Sequence, residues 1–344
     1  SGHRSAASYG IMAPGVRQAV LENIVRDLED RDEITLAFQG GEPTLAGLAW
    51  YKDFIHAFLS AQRQAGKEEV IVNYALQTNG LLLDRAWGEL LRHHKFLVGL
   101  SLDGWAHAHN RNRLDAQGQG TYDRVINSKG LLEECGVEYN ILTVLTNEMA
   151  KYPEKICRFM EDEKIRYIQF IPCLEDLDGG ISKNALRPMG FANFYTVLLR
   201  WWIRNLEKGV YISVKFFDDV VNLFFKGIPT ACGIDGQCQA QYVVEADGSV
   251  YPCDFYVLDD YNAGNLTRQT LREIFETGTM RSFVLSSRIV PPVCRTCTYL
   301  NICRGGCKRM RRVMYYGGGS ICGYKTFLDK CLKSLEYAVR RFFS

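Results

Sequence analysis

The sequence predicts an α/β fold: an open barrel of parallel strands with outer helices, followed by a smaller cysteine-rich region. From residue 14 to about 228, short apolar runs alternate with amphipathic stretches of helical length, the pattern of repeated βαβ units. Polar motifs stand directly behind successive apolar runs, where barrels build their sites, which favours a barrel over a doubly wound sheet. Beyond residue 228 helical periodicity fades, and eight of the chain's twelve cysteines fall between Cys232 and Cys322.

The elements follow in order. Pro14 suits the first turn of a helix, and Val16, Val20, Ile24 and Leu28 recur behind it at helical spacing. Strands are expected at 34–38, 70–76, 96–102, 139–145, 166–171 and 211–214, with helices near 45–65, 83–94, 120–135, 151–163 and 190–208. Residues 240–246 and 249–253 read as a β-hairpin around a two-residue Asp247-Gly248 turn. The tail, 326–343, has the pattern of a closing amphipathic helix. Two domains are therefore expected, 1–228 and 229–344. The second is too loop-rich to build a large core unaided, so metal sites would supply cohesion.

Composition narrows the function classes. With 47% hydrophobic and 23% charged residues in 344, the chain is an ordinary globular protein. A formal net charge of +2 gives no ground for a nucleic-acid or anionic-membrane partner. No apolar run approaches the roughly 18 residues of a membrane span. Twelve cysteines without a secretion signal point to a reducing cytoplasm, where thiols serve metals or redox chemistry.

The cysteines are ordered C-x5-C-x14-C, then after a forty-residue gap C-x2-C-x5-C-x3-C-x14-C. They are Cys232, Cys238, Cys253, Cys294, Cys297, Cys303, Cys307 and Cys322, enough for two complete four-ligand sites. Disulfides, two structural zinc ions and iron–sulfur clusters all use such arrays, and spacing alone does not separate zinc from iron–sulfur. Behind the strands stand Gln39-Gly40-Gly41-Glu42-Pro43, Gln77-Thr78-Asn79-Gly80, Ser101-Leu102-Asp103-Gly104 with Arg113 beyond, and Pro172-Cys173-Leu174. Paired glycines let a ligand approach the backbone, and a neighbouring Glu can pair with an amine. Any one of these is an ordinary turn; four at one barrel end favour a shared ligand.

Other residues carry plainer readings. Cys135, Cys157 and Cys331 are expected as small buried hydrophobes, while Cys173 stands at the ligand end of a strand. The basic run Lys308-Arg309-Met310-Arg311-Arg312 reads as a solvated helix face. His107 and His109 read as loop lining, and Trp201 and Trp202 as helix packing.

Taken together, the Gln39–Pro43, Gln77–Gly80 and 100–104 motifs, the cysteine array and the run Tyr251-Pro252-Cys253-Asp254-Phe255-Tyr256 resemble radical S-adenosylmethionine enzymes carrying a SPASM domain. Within that group the chain is similar to anaerobic sulfatase-maturating enzymes, and Ser8-Tyr9-Gly10-Ile11-Met12 fits the same likeness. The resemblance implies an open partial (β/α)6 radical-SAM barrel lacking its first strand. It implies oxidation of a Cys or Ser in a sulfatase polypeptide to Cα-formylglycine, with S-adenosylmethionine as cofactor and a flavodoxin or ferredoxin as electron donor. By position, Gly40, Gly41 and Glu42 would hold the methionyl amine, Ser101 and Arg113 the ribose and carboxylate side, and Leu174 the adenine. Gln39 would face the substrate, and Asp254 would act as the base. Cys232, Cys238, Cys253 and Cys307 would bind one auxiliary [4Fe–4S] cluster; Cys294, Cys297, Cys303 and Cys322 would bind the other.

The chain departs from that family in one place. Residues 1–344 contain no C-x3-C-x2-C motif for the third, reactive cluster, so the first strand and its cysteines are expected only in a full-length parent. Ser1-x3-Ser5-x2-Ser8 has the right spacing with Ser for Cys and is read as coincidence. The competing readings are a sister enzyme that crosslinks a peptide through a thioether or carbon–carbon bond, a zinc-stabilised binding module without chemistry, and a remnant that binds without reacting.

Overall fold

The structure, a computed structural model, describes residues 10–177, 180, 182–316 and 321–343. Ser1, Ser5, Ser8 and Tyr9 lie outside them. Helix α1 (Pro14–Asp27) precedes six strands: β1 (Glu33–Phe38), β2 (Ile71–Thr78), β3 (Leu97–Ser101), β4 (Glu138–Leu145), β5 (Tyr167–Pro172) and β6 (Ser213–Val214). Between them run α2 (Gly47–Gln64), α3 (Arg85–His93), α4 (Ala106–Asn110), α5 (Tyr122–Cys135), α6 (Pro153–Asp162) and α7 (Pro188–Glu207). Every strand pairs in parallel with the next, in the sequential order β1 to β6. The sheet stays open, with β1 and β6 as its edges among the described residues.

Burial is deepest in the middle strands β3 to β5, whereas β1 at the edge has no fully buried residue. Val98, Leu100, Ile141 and Leu145 are wholly buried, and the helices cover them with Leu91, Leu132, Ile156 and Trp202. Trp202 donates to the Ile212 carbonyl at 2.7 Å, and Trp201 to Glu161 at 2.6 Å, so both tryptophans pack as expected. α8 (Lys215–Lys226) ends at Gly227, whose φ of 70° turns the chain out of the helical region.

The cysteine-rich region begins there. β7 (Val243–Val244), β8 (Ser249–Tyr251) and β9 (Gly264–Asn265) form a small antiparallel sheet, followed by α9 (Leu271–Phe275) and α10 (Gly278–Ser286). The β7–β8 hairpin departs from expectation. Glu245 N–H donates to Ser249 O and Gly248 N–H to Glu245 O, giving a three-residue Ala246-Asp247-Gly248 loop. Gly248, at φ 84°, takes the left-handed position that closes such a loop. Short α11 (Leu300–Cys303) and α12 (Arg311–Met314) lead to the β10 (Tyr315–Tyr316) and β11 (Ile321–Cys322) pair and to α13 (Gly323–Phe342).

The region has no core to itself. Val250, Ala263, Leu266, Ile274 and Met280 pack with Val20, Leu21 and Ile24 of α1 and Phe54 and Phe58 of α2. Asn23 donates to the Leu266 carbonyl at 2.7 Å beside them. At the other end, α13 sends Phe327, Leu328 and Leu335 into the main core. Borrowed apolar surface thus supplies cohesion.

Candidate functional site

The carboxyl ends of the strands are joined by side chains. Glu42, behind β1, accepts Thr44 N–H (3.0 Å), Thr44 Oγ1–H (2.5 Å) and Thr78 Oγ1–H (2.8 Å) on Oε1. Its Oε2 accepts Asn79 N–H at 2.8 Å. The carboxylate therefore bridges the β1 and β2 loops, and Oε2, with one donor, keeps acceptor capacity for a cation. Gln39, Gly40 and Gly41 stand exposed beside it. Gly80, at φ 78°, has no room for a Cβ, which would lie 2.7 Å from Leu100 Cδ1 and 3.2 Å from Ser128 Cβ.

Behind β3, Asp103 is buried and organises the loop. Its Oδ1 accepts Val144 N–H of β4 at 2.8 Å, and its Oδ2 accepts Arg113 Nε–H at 2.6 Å. Asp103 N–H donates to His109 Nδ1 at 3.1 Å, so Nδ1 carries no proton and Nε2 does. Nε2–H then donates to Thr121 Oγ1 (2.9 Å), which donates onward to the Arg113 carbonyl (3.0 Å). Burial holds the imidazole pKa down at about 4; Asp103 opposes that shift and Arg113 reinforces it. His109 is thus a neutral brace that fixes Arg113, not a loop lining. His107, on the same short helix, enters none of these bonds. Ser101 ends β3, and Leu174, behind β5, packs half-buried against the main core.

All twelve cysteines are free thiols. Those of the array fall into two sets by the charge each feels from the others. Cys232 responds to Cys307 and Cys238, and both Cys238 and Cys253 respond to Cys307. Cys303 responds to Cys297, Cys322 and Cys294, and Cys322 to Cys294 and Cys297. Burial pushes Cys238, Cys253 and Cys322 up, and Cys303 to about 11, so these four are neutral as thiols. The backbone permits this approach at Gly233 (φ 68°), where a Cβ would lie 2.9 Å from Cys307 Cβ and 3.0 Å from its Cα. Cys322 caps α13, its sulfur accepting Lys325 N–H at 3.4 Å, a position that favours thiolate.

Each set offers four cysteines and no other donor type, a composition that iron–sulfur clusters use. Asp254, exposed, accepts Phe255 N–H at 3.0 Å and the Cys253 thiol at 3.4 Å on the same Oδ1.

The basic run is not a solvated face. Lys308 Nζ donates to Phe283 O (3.0 Å) and Ser286 Oγ (2.9 Å), and Arg311 Nη2 to Ser287 O (3.0 Å), satisfying the carboxyl end of α10. Buried Arg309 donates to the Glu175 carbonyl, tying the segment after Cys307 to the loop behind β5. Helix ends without basic residues of their own recruit them from elsewhere in the chain, which no local pattern displays. Cys157 and Cys331 are buried as expected, whereas Cys135 is half-buried against Gly88.

Comparison with known proteins agrees with this arrangement. Residues 232–298 match the SPASM family, an iron–sulfur cluster-binding domain. A cysteine-type anaerobic sulfatase-maturating enzyme of Clostridium perfringens is 37% identical over 313 residues, covering 90% of this chain and 83% of that one. A serine-type anaerobic sulfatase-maturating enzyme of Klebsiella aerogenes is 29% identical, covering 86% of this chain and 72% of its own length. The solved structure of native anSMEcpe with bound AdoMet and Cp18Cys peptide superposes with a TM-score of 0.88 at 34% identity, over 96% of this chain and 92% of that one. On both sequence and fold, this chain belongs to the anaerobic sulfatase-maturating enzymes.

Proposed function

We propose that this protein matures sulfatases: with S-adenosylmethionine it oxidises a Cys or Ser of a sulfatase polypeptide to Cα-formylglycine in the cytoplasm. Residues 1–228 form the partial barrel for the cofactor, and residues 229–344 form the auxiliary cluster domain. The carrying observation is the 37% identity with a cysteine-type maturase over most of both chains. Flavodoxin or ferredoxin supplies electrons.

When bound, S-adenosylmethionine and the clusters supply hydrogen-atom abstraction at the substrate Cβ and an acceptor for the second electron. The chain's own residues bind and orient. Glu42 Oε2, steadied by Asn79 N–H, accepts the methionyl ammonium between Gly40 and Gly41. Arg113, held through Nε by Asp103, directs its remaining guanidinium edge at the cofactor carboxylate. Ser101 takes the ribose, Leu174 lies against adenine, and Gln39 faces the peptide. Asp254 Oδ1 is engaged by Phe255 N–H, leaving Oδ2 to take the proton from the substrate thiol or hydroxyl. Two [4Fe–4S] clusters sit on the two thiol sets, and the third requires the C-x3-C-x2-C segment that residues 1–344 do not contain.

The test uses protein that includes any coding sequence upstream of residue 1, loaded with iron and sulfide without oxygen. With S-adenosylmethionine, reductant and a sulfatase-derived Cys peptide, product mass should show loss of sulfur and two hydrogens with gain of oxygen. Loss of two hydrogens alone would mean a crosslink and would reject maturation. Asp254→Asn should abolish product while sparing uncoupled cofactor cleavage; unchanged product yield removes Asp254 from the mechanism.

A further inference from the structure

The Tyr324 hydroxyl is fully buried and has no hydrogen-bond partner among the described residues. A buried phenol without an acceptor is costly, so the group it addresses is expected to be one the polypeptide alone does not provide. Its surroundings identify that group. Tyr324 lies beside Cys322, whose sulfur accepts Lys325 N–H at 3.4 Å, and its ring neighbour Phe224 contacts Tyr299, whose N–H donates to Cys297 Sγ at 3.5 Å. Cys297 and Cys322 both belong to the second thiol set. Asp219 accepts Thr230 Oγ1–H at 2.7 Å and the Lys215 ammonium, both on Oδ1, and makes no hydrogen bond to the phenol.

The ring is not free to turn away. Phe216 and Phe224 contact it edge-on, at centroid distances of 5.9 and 6.5 Å. The backbone beneath is anchored too: Gly323 is pressed so closely on α7 that a Cβ there would stand 2.5 Å from Pro188 O. Tyr324 also follows Cys322 by two residues in the first turn of α13, so thiol and phenol are set by one rigid helix start.

We propose that Tyr324 is a positioning residue for the second auxiliary cluster, donating its O–H to a sulfur of the iron–sulfur core held by Cys294, Cys297, Cys303 and Cys322. The inference rests on the cluster reading above. A hydrogen bond to a cluster sulfur stabilises the more negative, reduced form and raises the reduction potential. Tyr324 thereby makes this cluster a better electron acceptor than its four thiolates alone would.

Tyr324→Phe removes the oxygen and keeps the ring. In the chain as it stands, loaded with iron and sulfide without oxygen, one of two auxiliary cluster signals should shift to lower potential in an EPR-monitored redox titration. At a fixed potential its reduced-to-oxidised ratio should fall roughly tenfold, about 59 mV for one electron, while the other signal stays put. In the unaltered protein, exchange into D2O should give, by pulsed EPR, a deuterium coupling to that cluster beyond those of the Lys325 and Tyr299 amides, and the variant should lack that further coupling. Unchanged potentials in the variant, or no such further coupling in the unaltered protein, overturn the inference while leaving the cluster reading intact. Unaltered protein with iron at the first site alone, or at neither, overturns both. A variant that fails to take up its cluster leaves the deuterium measurement to decide.

Discussion

His109 shows how a single residue's role follows from accounting for its protons. Because a backbone N–H points at Nδ1, the ring is neutral in the folded protein, and burial keeps it so down to about pH 4. The unfolded chain takes up that proton near pH 6.5. The folded-state pKa is depressed, so the contribution is complete above pH 6.5 and is lost as pH falls towards 4, on the order of 3 kcal/mol. His109→Gln should flatten this part of the pH dependence. Thermal midpoints of both proteins at pH 7 and pH 5 check it, since acid loss of thiol-bound groups affects both alike; equal slopes reject it. Sequence gave no sign of this brace. Its partners, Asp103 and Thr121, stand on opposite sides of it in the chain, and nothing local distinguishes a braced histidine from a loop histidine. Glu42, which joins the β1 and β2 loops, is preceded by Gly40 and Gly41, a pattern visible in the local sequence.

Elements were more legible than residues. All six strands lie where apolar runs placed them, and α2, α3, α5, α6 and α7 where helical periodicity did, whereas α4 and α8 had no counterpart among the expected elements. The hairpin loop was misjudged by one residue: Asp247-Gly248 also suits a two-residue turn, and only the Glu245–Ser249 pairing reveals the longer loop. Helix α13 carries a prediction that propensity alone would get backwards. Gly323→Ala should gain about 1 kcal/mol as a better helix former. The added Cβ, however, would stand 2.5 Å from Pro188 O and 2.9 Å from Pro188 Cα, backbone atoms that cannot swing aside. The clash costs about 1–3 kcal/mol and displaces the helix start that carries Cys322. A lowered thermal midpoint with reduced iron at one auxiliary site is expected; a raised midpoint would show that α7 yields.

At the scale of the whole molecule, the cysteine-rich region enters the hydrophobic interior at both ends. Its small sheet shares a cluster with α1 and α2, and α13 shares the main core with α7 and α8. Residue order concealed this, since Val20 and Val250 are distant in sequence and neither pattern names its partner. The sharing determines how metal affects stability. Without iron, burial keeps Cys253 and Cys303 neutral, so charge on these two ligands does not force the sites apart. What is lost is crosslinking between segments already packed on the barrel helices. Iron removal by an anaerobic chelator should therefore lower one cooperative transition for the entire chain, not release a loose tail from a stable barrel. Tryptophan fluorescence reports the main core through Trp87 and Trp202, both buried there, while far-UV circular dichroism reports all helices. At one scan rate, the two signals should move together to a lower midpoint after chelation. If fluorescence kept its original midpoint while part of the dichroism melted early, the region would be energetically separate despite its shared apolar contacts.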